Sequence, residues 1–78
     1  MSENNFTCQI HEHLAVLSQN ENSGWTKELN KVSFNGGKSK YDIREWDPSS
    51  GHKRMSRGVT LTDAEMDVIR GLIEHGRL

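Results

Sequence analysis

Hydrophobic and polar residues alternate near the start of the chain, and a period of two predicts a β-strand. The alternation begins at Phe6, and we place the first strand at residues 6–18. It loses phase at the apolar patch LAVL, residues 14–17. Because an extra residue on one strand shifts the phase in this way, we predict a bulge or a sharp bend near residues 11–13.

Three further strands follow, and turn residues separate them. NENSG and NGG contain Asn, Ser and Gly, which tolerate tight turns, and Pro48 ends a strand because proline cannot donate a backbone hydrogen bond. We place these strands at residues 25–34, 40–47 and 57–62. The short link between the first two is typical of a β-hairpin, and PSSGHKRMS forms a polar, basic loop before the last.

The period changes to helical spacing after Thr62. Thr62 and Glu65 fit a capping box, in which each side chain bonds the backbone amide of the other residue, and Gly76 is placed to end the helix. The apolar stripe of this helix comprises Met66, Ile69, Leu72 and Ile73. Four strands and one terminal helix predict an α+β fold, in which one face of an antiparallel sheet packs the helix and the other stays open.

The chain of 78 residues has the length of one small domain, and we treat residues 1–78 as that domain. A core of this size rarely supplies more than about 3 to 5 kcal/mol, so small folds often recruit disulfides, metals or a second subunit. One cysteine, Cys8, excludes an intrachain disulfide. We therefore expect a second copy to cover part of the helix stripe, most simply about a two-fold axis.

Composition also indicates the cellular setting. A lone cysteine favours a reducing, intracellular compartment. The N-terminus lacks the basic and apolar regions of a signal peptide, and no run of about 18 apolar residues exists. We therefore expect a cytoplasmic protein without contact to membranes.

Charge is segregated along the chain, although the net charge is only −1. Residues 25–57 carry a surplus of four bases, whereas the rest of the chain carries a surplus of five acids. Such a distribution produces a local positive surface even when the protein as a whole is close to neutral.

The third strand combines charge with an aromatic side chain. Alternation places Arg44 and Trp46 on the face opposite Ile43, which points to the core. Cations along a strand and flat aromatics on which bases stack are the features of sequence-tolerant single-strand binding. The candidate residues, including a loop at 53–57 that could close over this face, are Phe34, Lys38, Lys40, Arg44, Trp46, Lys53, Arg54 and Arg57. In the alternative interpretation, Trp46 covers the edge of a core and the charges solvate a face.

Metal and enzyme chemistry have weaker support. His11 and His13 project to one side of a strand and Cys8 to the other, whereas a closed zinc site takes four ligands. Acidic residues of the third strand together with His52 lack the spacing of a catalytic motif. We therefore predict no metal, no cofactor and no enzymatic activity.

The second strand has no cleanly apolar face. Lys27 and Lys31 share one face with Leu29, and Glu28 shares the other with Val32. A bulge, a strong twist or an interface with a second subunit would each account for this pattern.

Several segments together resemble a known family. YDIREW, the basic loop, RGVTLT and the helix DAEMDVIRGLI resemble the single-stranded-DNA-binding domain of the transcriptional positive cofactor four family. HLAVLS, GWTKELNKVSFNG and KYDIREWDP look like its small bacterial branch, YdbC. The resemblance runs from about Phe6 to Ile73. It implies a homodimer of curved four-stranded antiparallel sheets, with the helices at the interface and single-stranded DNA running along the sheets with little sequence preference.

The resemblance also implies roles for individual residues. Phe34 and Trp46 match the family's aromatics, and Arg44 matches the arginine of its IRE motif. Lys38 or Lys40 matches the base after the turn, and Arg57 matches the base before the glycine of the fourth strand. A cytoplasmic, nucleoid-associated role in transcription, replication or repair follows, with RNA as an alternative ligand and RNA polymerase or repair proteins as further partners. The competing hypothesis is a dimeric module that binds a protein of the transcription machinery and no nucleic acid.

Overall fold

The computed structural model describes residues 7–78, so the predicted strand start at Phe6 lies outside the described residues. A short 3₁₀ turn at Pro48–Ser50 links the third and fourth strands. The elements are β1 (Cys8–Gln19), β2 (Thr26–Phe34), β3 (Lys40–Asp47), β4 (Arg54–Leu61) and helix α1 (Asp63–Glu74).

The four strands form one antiparallel sheet in the order β1-β2-β3-β4. This arrangement confirms the predicted sheet followed by one C-terminal helix. The bounds of β3 agree with the prediction, but β4 begins three residues early, because Arg54 and Met55 already pair with the end of β3. The predicted loop at 53–57 is therefore wrong beyond Lys53, and both Arg54 and Arg57 belong to a strand.

Strand β1 is irregular along its length. Its pairing with β2 is interrupted by three register shifts. They lie between Ile10 and Glu12, between His13 and Ala15, and between Val16 and Ser18. The first shift confirms the predicted bulge near residues 11–13, and the other two fall in and beside the LAVL patch. Bulges bend and twist a strand, so β1 does not continue the regular plane of the sheet.

Cross-strand pairing defines two faces, because directly paired residues project to the same side. The side called here the network face carries Thr26, Glu28, Asn30 and Val32 of β2 together with Asp42, Arg44 and Trp46 of β3. The opposite side, called the helix face, carries Tyr41 and Ile43. The Arg70 guanidinium of α1 donates a hydrogen bond to the Tyr41 hydroxyl, which raises the pKa of Arg70 and places the helix on this second side.

The network face is the more deeply buried one, although most of its residues are polar. Among the described residues, the buried hydrophobic side chains are Val32 and Trp46, which are 0% and 1% exposed. The prediction of an exposed Trp46 is therefore wrong. Its indole packs inside the chain, 5.8 Å from the ring of His52 between centroids, so the alternative that it belongs to the core holds.

Helix α1 has the predicted ends but little contact with the sheet. Thr62 and Glu65 form the capping box, with hydrogen bonds of 2.8 and 3.1 Å, and Gly76 follows the helix with a left-handed φ of 70°. The helix touches β3 and β4, but none of its residues is buried. Leu72 and Ile73 of the apolar stripe are 40% and 59% exposed, so the sheet of the same chain does not cover that stripe.

Membrane-spanning helices are absent from the part of the chain that the structure describes: no helix there has both the length and the apolarity to cross a bilayer.

Candidate functional site

Arg44 lies on the network face and is fixed by bonds within the chain. Its Nε and Nη2 atoms donate to the two carboxylate oxygens of Asp42 at 2.7 and 2.8 Å, and Nη1 donates to the Ser56 carbonyl at 3.3 Å. The two residues are neighbours on one face of β3, which places both side chains at the same spot. Asp42 is 0% exposed and the Arg44 side chain 12%. Such a bidentate pair holds the guanidinium in one orientation.

Two further residues define the position of this guanidinium. It lies over the Phe34 ring, 5.0 Å from the centroid, so the structure brings two of the predicted binding residues into contact. On the neighbouring strand β4, Gly58 pairs with Arg44, and the Arg44 side chain passes over it. A Cβ atom at position 58 would stand 2.3 Å from the Arg44 Cβ, which only glycine avoids.

Cys8 lies at the same end of the sheet, where it pairs with Phe34. Burial raises the pKa of the Cys8 thiol, an effect that Arg44 reduces and Asp42 reinforces. The side chain is therefore a neutral thiol at neutral pH and packs as a small apolar group. This state does not favour a role as a nucleophile.

The exposed bases lie at both ends of the sheet. Lys38 and Lys40 are exposed at the hairpin end, where Lys40 pairs with Val32. Lys53 and Arg54 are exposed at the far end of β3, and Arg57 is exposed in β4. Strand β3 has eight residues, and at a rise of about 3.4 Å per residue its two ends lie about 24 Å apart. The predicted cations thus form the ends of a track and not a single cluster.

A second polar group lies between these ends, and sequence reasoning missed it. The Glu28 carboxylate, 2% exposed, accepts hydrogen bonds from Thr26 at 2.5 Å, from Asn30 at 3.1 Å and from His52 at 3.0 Å. His13 of β1 bonds Asn30 at 2.7 Å and lies 3.5 Å from the same carboxylate. The network therefore ties together β1, β2 and the turn before β4.

This network answers the question of the mixed faces of β2. Glu28 and Asn30 share a face of β2 with the buried Val32, and this alternation was the feature of the sequence that indicated buried polar residues. The pairing of β2 with β3 has no register shift, so a bulge between these two strands does not explain the position of these two residues. Their polar atoms are buried because neighbouring side chains satisfy them.

The structure also separates the two histidines of HEH. His11 bonds Ser33 at 2.8 Å, whereas His13 bonds Asn30. Ser33 and Asn30 lie on opposite faces of β2, so the prediction that His11 and His13 share one side is wrong; the bulge at residue 11 is the reason. Within residues 7–78, no group of three or more His, Cys, Asp or Glu has the arrangement of a metal site.

Glu28 provides a test at acid pH. Burial opposes its ionisation, but the bonds from Thr26, Asn30 and His52 outweigh burial and lower the pKa below its usual value of 4.5. The carboxylate therefore stabilises the fold above pH 4.5, and this stabilisation is lost as the pH falls through the lower pKa of the folded state.

We expect Glu28→Gln to lower the free energy of unfolding by about 1–3 kcal/mol at pH 7 and to flatten its decline between pH 5 and 3. Urea unfolding across this pH range measures both effects. Glu12→Gln, which changes an exposed carboxylate of β1, is the control. Parallel pH profiles for Glu28→Gln and the unmodified protein would show that Glu28 contributes no such stabilisation.

A groove lies beside this network at the Trp46 end of the sheet. Its volume is about 470 Å³, and Ile10, Val16 and Pro48 form apolar walls. Its polar lining comes from Thr26, Glu28, His13 and His52. The candidate site thus consists of the Arg44 and Phe34 contact, the exposed bases at both ends, and this groove.

Comparison with known proteins supplies a family context for this geometry. Residues 21–72, which include β2, β3, β4 and most of α1, match the family model described as Transcriptional Coactivator p15 (PC4). An uncharacterized protein of Treponema pallidum (strain Nichols) is 41% identical over 68 residues. That alignment covers 87% of this chain and 76% of the Treponema protein.

Proposed function

The chain belongs to the transcriptional coactivator p15 (PC4) family, and we propose that it is a non-enzymatic protein that binds single-stranded DNA with little sequence preference. The observation that carries this proposal is the set of exposed bases at both ends of the sheet whose network face carries Phe34. We assign the chain to the bacterial YdbC branch on HLAVLS and GWTKELN. A role in transcription, replication or repair, with RNA polymerase or repair proteins as partners, fits this activity.

In this proposal, the exposed bases contact the phosphates. Lys38 and Lys40 hold one end of the strand, Lys53 and Arg54 hold the other, and Arg57 acts between them. Phe34, which is half-buried beneath the Arg44 guanidinium, is the aromatic side chain that we assign to base stacking. Arg44 positions Phe34 from within the fold, and Trp46 takes no part in stacking because 1% of its surface is exposed.

Lys38→Ala and Arg57→Ala are expected to weaken binding of a labelled single-stranded oligomer to a similar degree for every base sequence. Each lost phosphate contact also reduces the slope of log affinity against log salt by about 0.7. Fluorescence anisotropy at several salt concentrations measures both quantities. Lys27→Ala is the matched control, because Lys27 is exposed but is not one of the proposed phosphate contacts.

The outcome with unmodified protein decides between the two functional hypotheses. Tighter binding of the single strand than of duplex of the same sequence supports the proposal. Failure to retain single-stranded DNA even at low salt would instead favour the protein-interaction module. Exposed Leu14, Val16 and Leu17 on the edge strand β1, 38%, 51% and 52% exposed, are the observation that favours that second candidate.

We further propose a homodimer that pairs through α1. The apolar stripe of Met66, Ile69, Leu72 and Ile73 is only partly covered, while the described chain buries just two hydrophobic side chains completely. The radius of gyration is 14.1 Å, whereas a compact chain of 78 residues has about 11.5 Å. A second copy on the stripe would supply the missing apolar core.

Ile73→Glu is expected to convert the dimer to a monomer, because it places a charge in an apolar interface. Sedimentation equilibrium measures the mass in solution. Glu74→Lys changes the charge at the neighbouring position on the polar side of α1 and should leave the dimer intact. A monomeric unmodified protein at micromolar concentration would refute the proposed dimer.

A further inference from the structure

The groove beside the Glu28 network has the dimensions and the lining of a small binding site. Ligand sites typically measure about 300–1,000 Å³ and combine apolar walls with a few oriented polar groups. Here, Ile10, Val16 and Pro48 supply the walls, and two imidazole rings supply the polar groups within about 470 Å³. The groove opens beside the proposed DNA track, close to the end held by Lys53.

The hydrogen bonds fix which nitrogen of each imidazole carries a proton. Ionised Glu28 can only accept, so the Nε2 of His52 must donate to it. The amide nitrogen of Asn30 also donates to Glu28, so its oxygen faces His13 and the Nδ1 of His13 must donate. In the neutral rings, His13 Nε2 and His52 Nδ1 are therefore acceptors, and each lies on the side of the ring away from its buried partner.

Both imidazole rings are partly exposed at the surface. The His13 side chain is 51% exposed and that of His52 is 37% exposed, while the Glu28 beneath them is 2% exposed. An anionic phosphate is a poor ligand for apolar walls above a buried carboxylate. A flat, uncharged group with hydrogen-bond donors on its edge matches both the walls and the acceptors.

We propose that the groove binds one unstacked base of the single strand and prefers bases that carry an amino group to thymine or uracil. This inference rests on the proposed function. The exocyclic amino groups of adenine, cytosine and guanine project from the base and donate to an imidazole acceptor. Thymine and uracil carry carbonyl oxygens in place of an amino group, and their one donor on this edge, N3–H, is flanked by two of these oxygens, whose lone pairs oppose that of the imidazole. The groove thus adds a weak base preference to a protein whose other contacts are mainly with the phosphate backbone of the DNA.

The test compares two oligomers that differ only at the hydrogen-bonding edge of the base. One is oligo-dT, and the other has the same length with a few thymines replaced by 5-methylcytosine. Fluorescence anisotropy at pH 8 should show about five-fold tighter binding of the second oligomer, the equivalent of one additional hydrogen bond.

Variants assign this effect to the groove. His13→Ala and His52→Ala should each reduce the preference at pH 8, whereas His11→Ala should retain it, because His11 bonds Ser33 on the other face. Equal binding of both oligomers by the unmodified protein at pH 8 would overturn this inference alone. Failure to bind either oligomer at low salt would overturn the proposed function together with it. The comparison on unmodified protein remains decisive even if a variant fails to fold.

Discussion

Trp46→Ala is expected to lower the free energy of unfolding by about 3–5 kcal/mol, the usual cost of removing a buried tryptophan from a core. The indole is 1% exposed, and only Val32 accompanies it as a buried hydrophobic side chain among the described residues. A loss of this size equals most of the stability that a small core supplies. Circular dichroism during urea unfolding measures it, and the alanine variant is expected to be largely unfolded at 37 °C.

Two variants show whether burial or stacking dominates. Trp25→Ala removes the other tryptophan, which is only half-buried, and should cost clearly less stability. Trp46→Phe retains apolar volume and removes the indole Nε1, which is buried and has no hydrogen-bond partner among the described residues, so it should remain folded. A fully stable Trp46→Ala protein with weakened affinity for every oligomer would mean that Trp46 faces the DNA and not the core.

Arg44→Met is expected to lower the free energy of unfolding by about 3–5 kcal/mol, because it leaves the buried carboxylate of Asp42 without its partner. Asp42 is 0% exposed and receives two hydrogen bonds from this arginine. Substitution of a purely DNA-binding arginine would change affinity and leave stability within about 0.5 kcal/mol. Urea unfolding of the free protein therefore separates the structural role of Arg44 from a direct role in binding.

The double variant Asp42→Leu with Arg44→Met provides the control. Replacement of both charges by apolar side chains removes the unpaired carboxylate, so the double variant should be more stable than Arg44→Met alone. If Arg44→Met unfolds at the same urea concentration as the unmodified protein, the ion pair does not hold the network face together.

Local signals in the sequence determined the order and type of the elements. The capping box at Thr62, the NGG turn and the alternation of residues 40–47 each act within a few residues, so the helix start, the hairpin and β3 followed from them. The phase change at LAVL likewise identified the irregular strand. Short-range rules failed at the start of β4, because pairing with Asp47 and Trp46 extended it to Arg54.

The functional residues could be predicted only in part. Composition and the order of the strands indicated the exposed lysines and placed Phe34 and Arg44 on neighbouring strands, and the structure added their contact. The groove with His13, Glu28 and His52 does not, because its members come from three separate segments and meet only when β1 bends over β2. The one feature of the sequence that indicated this buried polar network was the position of Glu28 and Asn30 on the same face of β2 as Val32.

Alternation shows which residues share a face of a sheet, but it does not show which face becomes buried. The sequence by itself therefore placed Arg44 and Trp46 together and left open whether solvent or protein lies above them. The tertiary structure decided this point. The turn that carries His52 lies against Trp46 and bonds the Glu28 carboxylate, and Asp42 pairs with Arg44. The polar groups of this face can therefore be buried, because each finds a hydrogen-bond partner within the fold.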